Sequence, residues 1–189
     1  MELQRRSTEA KAHNLFFALW PDAGVRDALA ASAQRLKRDL ASRGRWVAPH
    51  RYHITLHFLG RYDPSSPDRV ARAVAAGDRV DTRAFELALD RVGSFPNRSV
   101  PWWIGCTMLP EGLLTLWESL GAGLHEEGID IAGSESLVAH VTILREAERR
   151  LPPMPIDPIA WPVRDFVLVD SRLGSDARYT ILRRWSLGA

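Results

Sequence analysis

Three observations predict an α+β fold of two pseudo-symmetric lobes, each a small antiparallel sheet with helices outside, facing across a central cleft. The order strand, helix, motif strand occurs twice, in residues 14–60 and 101–145. Each motif strand carries a tetrapeptide of one pattern, His53-Ile54-Thr55-Leu56 and His140-Val141-Thr142-Ile143, 87 positions apart. At 189 residues and 46% hydrophobic content the chain can bury a sizeable core.

The elements follow in order. Residues 1–12 are polar and charged and read as a disordered extension; 13–189 form one bilobal domain. The first-motif lobe covers about 14–95 and the second about 100–189, with the terminal strands open to sharing. Asn14 to Trp20 is a short apolar run of strand length, closed by Pro21. Asp22 caps a helix whose apolar positions Leu29, Ala33, Leu36 and Leu40 recur at helical spacing, and Gly44 marks its end. The strand Tyr52–Leu59 alternates polar with apolar, so His53, Thr55 and His57 share one face while Ile54, Leu56 and Phe58 enter the core.

Ser66 and Pro67 start a helix running to about Val80, and Phe85–Arg91 alternates as a strand. The second half repeats the order. Trp102–Thr107 is a strand, and Leu113, Leu116, Trp117, Leu120 and Leu124 share a helix face that ends near Gly128. The strand with His140 and Thr142 comes next. The Pro-rich Leu151–Pro155 reads as a link to two last strands, Val163–Asp170 and Tyr179–Leu187, joined by a turn around Gly174-Ser175-Asp176.

Bulk properties narrow the class. A lone Cys106 excludes an intrachain disulfide and fits a reducing, cytoplasmic setting; no secretion signal or membrane-spanning run is visible. The net charge of +2 permits an anionic ligand without arguing for a general nucleic-acid binder.

The chemistry lies in the repeated motif. Among six histidines only His53 and His140 have a threonine two places on. Histidine serves as acid or base near neutrality, so two flanking one centre can divide those roles. A threonine on the same strand face can donate to a non-bridging phosphate oxygen and steady the charge that builds at phosphorus. The pair suits in-line displacement at phosphorus, a cyclic phosphodiester above all, and calls for neither metal nor other cofactor. Strand geometry leaves donor and acceptor interchangeable. Simple alternation puts Arg145 opposite His140, so it reaches the cleft only where the strand ends or bends.

His57 reads as a solvated strand position, and His50, His53 and His57 make no zinc face on a strand. The tryptophans, Trp102, Trp103 and Trp117 among them, read chiefly as core. Trp46 is the one with a route to the cleft, though the weight favours the core for it too.

These residues resemble the two-histidine phosphoesterase superfamily, specifically the RNA 2′,3′-cyclic phosphodiesterases also called 2′-5′ RNA ligases. The likeness rests on Leu15-Phe16-Phe17-Ala18-Leu19, Arg45-Trp46-Val47, His53 to Gly60, His140 to Arg145 and the closing Gly174 to Trp185. It implies hydrolysis, without a metal, of a terminal 2′,3′-cyclic phosphate on RNA to a 2′-phosphate, with weak 2′-5′ ligation. Under it His53 protonates the departing 3′ oxygen, His140 activates water, and Thr55, Thr142 and Arg145 hold the substrate. The partner would be RNA with a cyclic phosphate end, tRNA fragments included, and the protein a monomer. Family members often carry Pro or Arg-Pro before the second His, where this chain has Val138-Ala139. A cyclic phosphodiesterase for small nucleotides and a non-catalytic RNA-end-binding protein remain alternatives at this point.

Overall fold

The computed structural model describes residues 13–65, 67–131, 136–174 and 177–188. The expected disordered extension, the Ser66 cap and two residues of the Gly174-Ser175-Asp176 turn lie outside them. The elements are β1 (His13–Leu19), α1 (Ala23–Leu40), β2 (Arg45–Trp46), a 3₁₀ turn (Pro49–Arg51), β3 (Ile54–Tyr62), α2 (Pro67–Asp78), β4 (Phe85–Ser94), β5 (Trp102–Gly105), α3 (Glu111–Glu126), β6 (His140–Arg145), β7 (Met154–Val163), β8 (Asp165–Arg172) and β9 (Arg178–Ser186).

Asp22 caps α1 as its position predicts, accepting from the Val25 amide at 2.9 Å. The helix closes on Ala41, at φ 46°, rather than on Gly44. Val25, Leu29, Ala33 and Leu36 form its buried stripe. In α3 the stripe is Leu113, Leu116, Leu120 and Leu124. Gly123 lets α3 approach α2 closely, since a Cβ there would stand 3.0 Å from the Ala76 carbonyl.

The strands run β7-β4-β5-β6-β3-β1-β8-β9, with β2 also paired to β6. The two small sheets expected are the halves of this run. They meet where β3 and β6 pair antiparallel through Ile54 and Val141. Strands are exchanged between the halves: β4 joins β5 and β7 beside the second motif, while β8 and β9 extend the half that carries the first. The half with the first motif is therefore built from both ends of the chain, and the half with the second from its middle.

β7 departs from the sequence reading, which treats its start as a link. It contains Pro155, Pro158 and Pro162, yet it pairs with β4 from Phe85–Val163 to Val92–Met154. Proline removes a ladder donor and is tolerated on an edge strand, and β7 is the edge. Composition alone hides such a strand.

One continuous core unites Leu15, Phe17, Ile54, Val141 and Ile143 with the buried stripes of all three helices. The helices thus cover one sheet face. The alternate residues Phe16 and Ala18 belong to a second, smaller cluster with Val167 and Val169 on the other face. That second face carries the cleft. Among the described residues no helix is long and apolar enough to cross a membrane.

Candidate active site

Both motif strands are bulged at the last residue of the tetrapeptide. Against β1, Ala18 pairs with Thr55 and Phe17 with His57, leaving Leu56 as the extra residue. Against β5, Trp103 pairs with Thr142 and Trp102 with Leu144, leaving Ile143 extra. A bulge resets alternation, so side chains beyond it change face. Two consecutive residues then turn to the core in each strand, Leu56 with His57 and Ile143 with Leu144. The next residue, Phe58 or Arg145, faces the cleft.

This single device corrects two sequence readings and settles a third. His57 is not a solvated residue beside His53. It is 4% exposed, stacks on Trp117 and bonds through Nε2 to the Trp117 carbonyl at 2.8 Å. Phe58 is not core; it is 39% exposed and lines the cleft. Arg145 reaches the cleft because the strand bends ahead of it. Gly44, at φ 144°, helps to hold this end of the strand. A Cβ there would meet the Arg145 carbonyl at 2.9 Å, and β2 pairs Arg45 with Arg145 immediately after.

The cleft has a volume of about 780 Å³, and its lining includes His53, Thr55, Thr142 and Arg145. His140 does not line that volume. It begins β6 two residues before Thr142 on the same face, and its charge is close enough to act on His53. His53 sits just ahead of β3 rather than within it. Each histidine bonds through Nδ1 to the carbonyl two residues upstream, His53 to Arg51 and His140 to Val138, both at 2.7 Å. A carbonyl only accepts, so Nδ1 carries the hydrogen in both rings and Nε2 is left as the exchangeable nitrogen. Val138-Ala139, where a Pro is common, still supplies the carbonyl that orients His140.

Neither threonine hydroxyl has a side-chain partner among the described residues, and Arg145 has no carboxylate partner there. No Asp or Glu is among the lining residues. Arg51 and His50 add basic groups, Arg51 lying over the Tyr179 ring at 4.6 Å. Trp46 lines the cleft as well, while Trp102 is core. The lining can therefore accept an anion beside the His53 imidazole, the two threonines and Arg145. It offers no cluster of metal-ligating side chains among the described residues.

Burial lowers the pKa of His53 to about 4, against the opposing pull of the Arg51 carbonyl, with Arg145, His140 and Arg51 adding like-charge repulsion. His140 is lowered for the same leading reason, with Arg145 contributing. Phe16, Trp20 and Tyr179 enclose His53, at ring separations of 5.1, 5.7 and 5.3 Å. Phe58, Arg51 and this aromatic enclosure are the residues that sequence reasoning missed. Phe16 and Phe58 lay inside quoted runs, but only the bulge and the strand exchange place them at the cleft.

Comparison with known proteins gives the same family. The model described as LigT like Phosphoesterase matches residues 19–103. An RNA 2′,3′-cyclic phosphodiesterase of Thermus thermophilus is 34% identical over 186 residues, covering 92% of this chain and 89% of that protein. A protein of the same name from Aquifex aeolicus is 30% identical over 117 residues, covering 60% of this chain and 62% of its own. The apo crystal structure of E. coli LigT superposes with a TM-score of 0.77 at 30% identity, covering 95% of this chain and 99% of that one. The chain belongs to the LigT-like phosphoesterase family.

Proposed function

We propose that this protein hydrolyses the terminal 2′,3′-cyclic phosphate of RNA to a 2′-phosphate. The observation that carries the reading is the duplicated imidazole geometry: two rings, each with Nδ1 engaged by the backbone and Nε2 left for proton transfer. The relatives from Thermus thermophilus and Aquifex aeolicus bear the name RNA 2′,3′-cyclic phosphodiesterase. E. coli LigT has been crystallised with 3′-AMP and with phosphate.

In the reaction, water attacks phosphorus as His140 Nε2 takes its proton. The bond from phosphorus to O3′ breaks, and His53 Nε2–H protonates that oxygen. The phosphate stays on O2′. Thr55, Thr142 and Arg145 hold the non-bridging oxygens, where negative charge increases. The donor and acceptor assignment follows the family resemblance. The depressed pKa of His53 works against a charged donor in the free protein, so this assignment requires the bound phosphodiester anion to favour the charged imidazole and raise that pKa again. A ribose hydroxyl in place of water would give weak 2′-5′ ligation by the same path.

Substrates of this kind include cleaved tRNA ends. The lone Cys106 and an RNA substrate suit a cytoplasmic protein, and we take the monomer as its working form. The test is incubation of a short RNA ending in 2′,3′-cyclic phosphate with enzyme and EDTA, the product being identified by phosphorus NMR. Conversion to the 2′-monophosphate is expected. An unchanged cyclic end, or activity lost with EDTA, overturns the reading.

A further inference from the structure

The cleft is longer than a phosphate needs. Besides the basic Arg45, His50 and Arg51, its lining holds the exposed ring of Phe58 and two polar side chains, Asn14 and Ser171. These two are directly paired in the β1–β8 register and share the cleft face. Ser171 is only 6% exposed, and neither its hydroxyl nor the Asn14 carboxamide has a side-chain hydrogen bond among the described residues. Their polar atoms open onto the cleft and are committed to no other side chain among the described residues, so they are available to bond a ligand there.

Spacing along β1 says which part of a ligand arrives there. Thr55 pairs with Ala18, Phe58 with Phe16, and Asn14 follows two residues on. From Ala18 to Asn14 is about 13 Å at the roughly 3.3 Å rise of a strand residue. A nucleotide with its phosphate at Thr55 lays its base over Phe58 and presents the far edge of that base to Asn14. This continues the functional reading above and rests on it.

We infer that Asn14, with Ser171, reads the base of the terminal nucleotide and selects adenine. A carboxamide presents one acceptor beside one donor, which matches the adenine N6 amino group and its neighbouring ring nitrogen in a bidentate pair. A pyrimidine stacked on the same ring falls short of that reach. A site built to pair a polar edge discriminates strongly against ligands that leave it unpaired.

The experiment compares four short RNAs that differ only in the base bearing the cyclic phosphate. For the wild type, kcat/KM is expected to be about tenfold or more higher for adenine than for uracil, the scale of one good bidentate pair. Asn14→Ala, and the near-isosteric Asn14→Leu as a packing control, should collapse that ratio toward one through KM. Ser171→Ala should reduce it less. Competition by 2′-AMP against 2′-UMP should show the same loss without relying on turnover. A wild type that does not favour adenine, or variants that keep its ratio, overturns the inference while the hydrolase reading stands. Absence of turnover on all four RNAs overturns both.

Discussion

His53 and His140 make the same 2.7 Å bond to a carbonyl two residues upstream, on strands bulged at the same place. Their surroundings are unlike. His53 is enclosed by Phe16, Trp20 and Tyr179, whereas Phe95 is the ring that meets His140, edge-on at 4.8 Å. A duplicated backbone can thus deliver two equivalent nitrogens while the packing around them makes their proton affinities unequal. The residues after each bulge diverge in the same way. His57 and Leu144 both turn to the core, and Phe58 and Arg145 both turn to the cleft, one offering a stacking face and the other a charge.

The largest effect should come from removing either imidazole. His53→Ala and His140→Ala are each expected to lower single-turnover cleavage about 10²–10⁴-fold. A p-nitrophenyl phosphodiester separates their roles, because that leaving group departs without a proton. The deficit of His53→Ala should shrink on this substrate and that of His140→Ala should persist; the reverse pattern would exchange donor and acceptor.

The threonines should behave alike if the two halves serve the phosphate equally. Thr55→Val and Thr142→Val are each expected to cost about 10²-fold in kcat, as loss of one preorganised donor does. A large disparity between them, measured on the same RNA, would show that one half holds the charge that develops and the other merely frames it.

The pH profile sharpens the difference in surroundings. One histidine must be charged and the other neutral, so the two pKa values bound the kcat/KM profile whichever ring holds the proton. Both values lie below 6.5 in the free protein, His53 at about 4, so kcat/KM should form a bell centred on the acid side of 6.5. Bound phosphodiester raises both, so the kcat bell should lie at higher pH than that of kcat/KM. Coincident bells would show that the bound anion does not raise the pKa values, which would count against His53 as the charged donor.

His57 should give the smallest effect, and on stability rather than rate. Its pKa is lowered chiefly by burial, so its stabilising contribution is present above the unfolded value of 6.5 and is lost as pH falls through the lowered folded value. His57→Leu, which copies Leu144 at the matching position, should flatten part of that acid slope in urea denaturation. His57→Ala should cost about 2–4 kcal/mol at neutral pH, through the lost bond to Trp117 and the space left beneath its ring.

Much of the chemistry was legible before any coordinates. The motif pair, the Asp22 cap and the helix stripes are local patterns, and local sterics and hydrogen bonding write them directly into residue order. What failed was non-local. Leu56 and Ile143 look like ordinary strand residues, and nothing in their identity says that the partner strand is one residue short opposite them. The Pro-rich segment at 154–163 is a strand only because β4 lies beside it as an unfilled neighbour.

By itself, then, the sequence determined that two histidines and two threonines sit on paired strand faces, since a period of two depends on the backbone alone. Tertiary structure decided which side chains join them. Strand register places the bulges that turn Phe58 and Arg145 to the cleft, and the exchange of β8 and β9 carries Ser171 and Tyr179 there from the far end of the chain. Register and strand order arise from contacts between distant segments, so they are properties of the packed sheet and not of any one stretch of residues.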